Sequence, residues 1–556
     1  MQKLLADRRA FFLWALLANA TAMGLTYLFV SPFFLSNDDV AMMLRAAGTL
    51  TLDRSTGFLM FSGPVIGWVL KSLYGLNDGV PWYGWYYASV LCLAHTTLLY
   101  ALLLRFTRNQ ALTLFGSYYL AAGCYLSLAW QFTALAYIAF GVGFIGFCLF
   151  KYAPKSQSSE RLLLGLSSFL FVASAMIRLE SFLSGLILTL PLILYQITSE
   201  KKNRRVAFIL GGAFLLGGLV FAANALQDRI NGGYSQFNAE RAALGELGFL
   251  RQLTLAGTSA VQAETGWSAN DIEALQAWFF FDSAIFNSAR FNGAMQQSGH
   301  RSLTAGWRGV LHTHLIFLSE HVVQLAPILI FIFLIFIFNQ FAYRRAFLFA
   351  VTFVWVNLIL LAIAFALKYP PFRVQYPLWT IAGLLLLVLL QPVSSFRVHP
   401  WLIVAAIFLF AFSGVNIYRA VGNSQESRRR ESEMFVFLRS LPNAPIVVDW
   451  AGGLPTGAIS PFAKPGVWNG EKVFTLGVFQ RAPQDQAFLK RSIGERSLLD
   501  ALVEQHHPLV IADVNKAKLG EILKQYYAEH RNTEVHLKPI LRASDYAAYI
   551  VLTNKN

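Results

Sequence analysis

Apolar runs of about 20 residues, separated by short polar breaks, recur from Phe11 to Ile417, and each is long enough to cross the hydrocarbon core of a bilayer. Backbone N–H and C=O groups find no water inside lipid. Segments of this length therefore resolve as α-helices, which satisfy those groups internally. Of the 556 residues, 56% are hydrophobic and only 13% charged, where a soluble chain carries about 25% charged. The fold class is a polytopic α-helical membrane protein with about 11 transmembrane helices and a C-terminal soluble α/β domain. The first run, Phe11 to Leu35, is too long for a cleaved signal and is followed by no A-x-A-like site, so it is read as the first span.

The remaining spans are expected at Trp82–Arg105, Ala111–Ala129, Ala134–Phe150, Leu162–Met176, Phe182–Ile197, Val206–Ala225, Val322–Phe338, Phe347–Leu367, Val374–Leu390 and Trp401–Ile417. Lys3, Arg8 and Arg9 before the first run place the N-terminus inside. Parity then puts the basic clusters Arg105/Arg108, Lys151/Lys155, Lys201-Lys202-Arg204-Arg205 and Arg344-Arg345 inside as well. The long stretches 36–82 and 227–320 and the C-terminus fall outside. Pro64 and the glycines around it make Phe58–Tyr74 a juxtamembrane or re-entrant helix, and Trp82 to Tyr87 an interfacial aromatic belt. The 227–320 stretch reads as helical pieces with Ser/Gly breaks.

The formal net charge of +15 is thus topological. It predicts contact with anionic membrane lipids rather than nucleic acid. Cys92, Cys124 and Cys148 lie inside apolar runs and suggest neither a disulfide framework nor a zinc site. Two regions result: 1–421 in the membrane and 422–556 outside it. In the second, Glu426–Leu441 and Lys516–Ala528 read as helices. Ile446–Val448, Leu509–Ile511 and Ala547–Leu552 read as strands.

Chemistry concentrates at Ser36-Asn37-Asp38-Asp39, where the first span meets the outside. Adjacent carboxylates at a membrane mouth are costly unless they face water or a cavity, and ionisable groups there are functional by default. One acid would serve as a general base, with its neighbour orienting it or holding a divalent cation, for which Asp39 is the candidate. The alternative is that Asn37 or Asp38 caps a helix starting near Val40. Lys368 and Arg373 flank Pro370-Pro371 between two spans. They suit the gripping of a phosphate, or else snorkelling to headgroups. Arg178 and Glu180 share an external turn and either line the substrate site or pair with each other. His312, His314 and His321 have poor spacing for one metal, and His506-His507 reads as structural. Trp278 to Phe281 fits a lipid or sugar groove or an interfacial belt. No phosphate loop, dinucleotide fingerprint or nucleophile elbow occurs.

Asp38-Asp39-Val40-Ala41-Met42 in the first external loop, the span count and the external C-terminal domain together resemble the GT-C glycosyltransferase superfamily. That superfamily includes oligosaccharyltransferases, protein mannosyltransferases, aminoarabinose transferases and arabinofuranosyltransferases. Arg373-Val374-Gln375-Tyr376-Pro377 is similar to the family's Arg before a Tyr-Pro start of a late span, which makes Tyr376 a further substrate-site candidate. No W-W-D sequon motif is present, which disfavours N-glycosylation. The resemblance implies an inverting glycosyltransferase of the bacterial cytoplasmic membrane, using a polyprenyl-phosphate-linked sugar on a glycan, lipid or protein acceptor. Asp38 is then the base, and Arg373 and Lys368 hold the donor phosphate. An O-antigen polymerase or ligase should rely on external Arg and His without an acidic pair. A lipid-linked glycan flippase should show repeat symmetry and mid-depth charges, and no internal repeat is visible.

Overall fold

The structure, a computed structural model, describes residues 8–52, 54–149, 157–199, 204–230, 233–247, 255–297, 303–338, 343–367, 371–391, 400–450, 452–468, 470, 472–477 and 479–553. Helix α1 (Arg8–Phe29) leads through a two-residue strand β1 (Phe33–Phe34) to the short helix α2 (Asn37–Ala47), then to α3 (Pro64–Leu76) and α4 (Trp82–Arg105). Thr107 and Gln110 form a capping box that starts α5 (Arg108–Tyr118). α5 continues through a π-helical turn, Tyr119–Gly123, into α6 (Cys124–Leu128), strand β2 (Ala129–Trp130) and α7 (Phe132–Leu149). The π turn loosens the backbone ladder, and the Tyr376 hydroxyl donates to its Ala121 carbonyl at 3.1 Å.

Helices α8 (Gln157–Ile177), α9 (Leu179–Ser199) and α10 (Arg204–Ile230) follow. The helical pieces expected in the second long stretch are α11 (Tyr234–Leu247), α12 (Leu255–Thr265), α13 (Ala269–Gln276) and α14 (Ser288–Gln297). Then come α15 (Leu303–Phe338), α16 (Tyr343–Leu367), α17 (Phe372–Leu386) and α18 (Pro400–Ser440). Among the described residues, seven helices are long and apolar enough to cross a membrane, and four shorter apolar helices fall on the other expected spans: Arg161–Ile177, Leu179–Tyr195, Gly211–Gln227 and Phe349–Ala364.

Three boundaries differ from expectation. α1 stops at Phe29 rather than Leu35, with Pro32 just beyond it, and α3 starts at Pro64 rather than Phe58, because proline opens a helix but does not continue one. The eleventh span and the helix at Glu426 are a single 41-residue helix, α18. No proline interrupts it after Pro400, and Glu426, Arg429, Arg430 and Glu433 pair at i,i+3 and i,i+4 where it leaves its apolar part.

The C-terminal region holds strands β3 (Val447–Trp450) and β4 (Val473–Leu476), helices α19 (Pro483–Ile493) and α20 (Leu498–Glu504), strand β5 (Leu509–Ala512), helix α21 (Lys516–Arg531), and strands β6 (Val535–Arg542) and β7 (Tyr546–Thr553). The sheet order is β4-β3-β5-β7-β6, with β4, β3 and β5 parallel and β7 antiparallel to both its neighbours. β4 and β6 were not expected. β4 is only four residues long, and β6 carries Pro539 beside a register shift, which its edge position tolerates. α12 to α14 do not stand apart: Trp267, Ile272, Phe279, Phe286 and Phe291 share one core with Trp450, Leu499 and Tyr526 of the sheet domain. The Trp450 indole donates to the Ala277 carbonyl at 2.8 Å, and the Asn270 amide to that of Ile522 at 3.1 Å.

Candidate active site

The site is organised by α2. β1 fixes its approach by pairing parallel with β2, and the Leu35 amide extends the pairing to the Trp130 carbonyl at 2.8 Å. Gly48 ends the helix at φ +70°, where a Cβ would lie 2.1 Å from the Ser55 nitrogen, so only glycine fits both the turn and the contact. At 3.6 residues per turn the helix presents two faces. Asp39, Met42, Met43 and Ala46 pack into the core. Asn37, Asp38, Ala41, Leu44 and Arg45 line a cavity of about 810 Å³. The helix begins at Asn37, and neither Asn37 nor Asp38 caps it. Ser36 occupies the cap position without a side-chain cap bond.

Adjacent in sequence, the two acids have opposite surroundings. Asp39 is fully buried, with Oδ2 accepting from the Ser36 hydroxyl at 2.8 Å. Its Oδ1 accepts from the Phe132 amide at 3.0 Å and the Tyr83 hydroxyl at 3.3 Å. Both oxygens are thus engaged and enclosed, and Asp39 does not fit the role of cation ligand. It braces α2 against α4 and α7. The belt expected at Trp82–Tyr87 therefore splits by helix face. Tyr83 and Tyr87 turn inward, Tyr87 stacking on Trp130 at 4.4 Å, while Trp85 is exposed.

Burial pushes the Asp39 carboxyl up to about 7 from its ordinary 3.8, against the opposing pull of its hydrogen bonds. A raised carboxylate pKa stabilises the fold fully only below the unfolded value, and that contribution is lost as pH rises through the folded one. Wild-type stability should therefore fall between about pH 4 and 7 relative to Asp39→Asn, which keeps an acceptor for Phe132 and Tyr83. Thermal unfolding of both proteins across that range checks this. Parallel pH profiles would contradict it.

Asp38 is partly exposed, and Oδ2 accepts from Arg373 Nη1 at 2.8 Å across 335 residues of chain. Arg373 stands in the first turn of α17, after Pro371, whose fixed φ starts the helix. Arg178 lies within electrostatic range of both Asp38 and Arg373. It donates to the Thr133 hydroxyl at 2.8 Å and covers the Phe132 ring at 4.8 Å. Glu180 is exposed and pairs loosely with Arg178 at 3.7 Å. Asp38, Arg373 and Arg178 thus come together from three distant segments.

Other expected residues do not join them. Tyr376 is buried, its hydroxyl spent on Ala121 and its ring packed on Phe372 and Tyr125. Lys368 lies outside the described residues. His312 is exposed and His314 buried, while His321 bonds Gln324 at 2.6 Å and packs on Phe372. His507 is buried against Gln505. Phe279 and Phe280 are core residues, and only Trp278 of that run lines the cavity. Among the described residues, Asp271, Glu529 and His530 are close enough to share a cation. Their atoms are already occupied: His530 bonds Asp271 at 2.8 Å, and Glu529 accepts from Ser268 and Gln525 at 2.7 Å.

The far wall of the cavity comes from the C-terminal domain. Arg45 donates to Asp485 at 2.8 Å in a buried pair and lies over the Phe479 ring at 4.1 Å. Gly457 approaches so closely that a Cβ would sit 2.2 Å from Asn37 Oδ1. Asp449, at the end of β3, lines the cavity with Gly452, Thr475, Asn515 and Lys518. Neither Asp449 nor Asp485 was singled out from sequence. Each is a lone acid whose meaning depends on partners far along the chain.

No family model matches the chain, and no curated protein matches it. Two solved structures align over 97% of this chain and 97% of their own at 13% identity and a TM-score of 0.41. They are ArnT from Cupriavidus metallidurans bound to undecaprenyl phosphate and ArnT in the apo state.

Proposed function

We propose that this chain is a membrane glycosyltransferase of the GT-C type that moves a sugar from a polyprenyl-phosphate-linked donor to an acceptor hydroxyl at the external membrane face, with inversion. The observation that carries this reading is Asp38, which lines a large cavity and is paired with Arg373. Asp38 takes the proton of the acceptor hydroxyl as its oxygen attacks the anomeric carbon. The bond from that carbon to the phosphate oxygen breaks, and the electron pair leaves with the phosphate. Arg373, with further N–H groups beside the one on Asp38, stabilises the leaving phosphate by charge-assisted hydrogen bonds. Arg178 adds a second positive charge to the same field. Phosphate leaves readily once neutralised, so one carboxylate is enough and no covalent sugar–enzyme intermediate is needed. Lys368 is a further candidate for the phosphate. The acceptor is a cell-surface glycan, lipid or protein.

The test is transfer by the purified protein in proteoliposomes supplied with a polyprenyl-phospho-sugar. Arg373→Lys should raise the apparent donor constant, because an ammonium cannot reproduce a guanidinium fork. The loss should be of order 2 kcal/mol in transition-state terms. Kinetics unchanged in Arg373→Ala would remove the residue from the site, and no transfer by the wild-type protein would remove the reading.

Orientation is testable separately. Parity puts the C-terminal domain outside. Ser424 is a poor fusion point, since it sits within α18 and its hydroxyl holds the Ser31 carbonyl at 2.7 Å. A reporter fused after Thr553 should be active only if it is of the kind that works outside the cytoplasm. Activity of a cytoplasmic reporter there would invert the topology and place Asp38 on the wrong side.

A further inference from the structure

The cavity has a second polar centre besides Asp38. Asp449 is 1% exposed at the cavity wall. Its Oδ1 accepts from the Leu454 amide at 2.8 Å, but Oδ2 has no hydrogen-bond partner among the described residues. A buried carboxylate oxygen left in that state is costly unless something else donates to it. Burial also pushes the group up to about 7, against the pull of the Leu454 and Gly453 amides.

Its place in the fold is that of a ligand site. The chain leaves β3, goes to β4 on one side and then to β5 on the other, so the sheet reverses direction at β3. Ligands of open α/β sheets lie outside the carboxyl ends of the strands at such a reversal. All three strand ends contribute to the cavity here, with Gly452 after β3, Gly477 after β4 and Asn515 after β5.

An independent feature meets Asp449 there. Trp278 lines the same cavity, is 37% exposed, and holds φ +63°. That backbone region is strained for a bulky residue and is concentrated at ligand clamps. The conformation is held from both sides: the Gln480 amide donates to the Trp278 carbonyl at 3.0 Å, and the Phe279 amide to that of Ala274 at 2.8 Å. The bond from the Trp450 indole to Ala277 ties this segment to the strand end that carries Asp449.

The charges select the ligand. Arg45 and Lys518 are the cationic residues lining the cavity among the described residues, and each faces a lining carboxylate, Asp485 and Glu273 (3.5 Å) respectively. Asp38 faces Arg373. Of the lining carboxylates, only Asp449 has no counter-ion among the described residues, so this end of the cavity accepts hydroxyl donors and disfavours an anion. We propose that Asp449 and Trp278 form a subsite for a neutral sugar ring of the acceptor, Oδ2 accepting a ring hydroxyl and the indole covering a ring face. This inference rests on the reading of the chain as a sugar transferase.

The test is binding of the full-length purified protein to an array of neutral oligosaccharides, beside the same glycans bearing a phosphate or carboxylate. Wild type should retain at least one neutral glycan more strongly than its anionic counterparts. Asp449→Asn, which keeps the acceptor for Leu454 but turns the free position into a donor, should weaken retention at least tenfold, as should Trp278→Leu. Both variants should elute as wild type does in size exclusion. Retention of no neutral glycan, preference for the anionic forms, or binding unchanged in both subsite variants would overturn the proposal. No sugar transfer by the wild-type protein in proteoliposomes would instead remove the transferase reading and leave the binding result to stand by itself.

Discussion

Asp38→Asn is expected to lower the rate of sugar transfer about 10²–10⁴-fold, the range for loss of a general base, with expression and donor binding retained. A sugar hydroxyl is a weak nucleophile at neutral pH, and Asp38 is the carboxylate that both faces the cavity and meets Arg373. Asn keeps the side-chain shape and still accepts from the guanidinium through Oδ1, so α17 stays docked while the proton acceptor is lost. The effect should fall on turnover rather than on the donor constant, the reverse of Arg373→Lys. Asp39→Asn should cost less, since its role is bracing. Single-turnover transfer in proteoliposomes separates these outcomes. A folded Asp38→Asn protein working at near wild-type rate would defeat the mechanism.

The contrast between the two acids shows what the chain discloses by itself. That Asp38-Asp39 stands out is legible, because carboxylates are scarce in this chain and these two stand after the first apolar run. Which one faces the cavity depends on helix phase. That phase is set by a start at Asn37 rather than near Val40, and by the β1–β2 pairing that ties Phe33 to Ala129. Arg373 was nominated from its own surroundings as a phosphate ligand. Its contact with Asp38 belongs to packing between α2 and α17 and leaves no local trace. Tyr376 illustrates the converse: it lies three residues after Arg373 in sequence, yet it turns into the core. The membrane helices were legible because lipid forces their length and composition. β4 and β6 were not: β4 lacks the proline entry that marks β3 (Pro445) and β5 (Pro508), and β6 carries Pro539 at a sheet edge, which masks its period-two signal.

The larger structural effect is expected at Arg45 and Asp485, a pair invisible in sequence because 440 residues separate its members. Both side chains are buried, so desolvation is expensive and the pair is a weak source of net stability. Burial outweighs the nearby guanidinium and pushes the Asp485 carboxyl up to about 6. Removing one member is another matter, since Arg45→Ala or Asp485→Ala strands the other charge in the interior. Each single change should cost about 3–5 kcal/mol, and the joint replacement by Met and Leu should recover most of it. Thermal unfolding in one detergent at a fixed scan rate gives the comparison. The joint variant also separates stability from positioning. Arg45 shares its helix face with Asp38 and ties that face to the C-terminal wall of the cavity. If the pair sets that spacing, the stable joint variant should still transfer sugar more slowly than wild type, with the donor constant unchanged. Single variants that melt with wild type would show that the pair does not seat the C-terminal domain on α2.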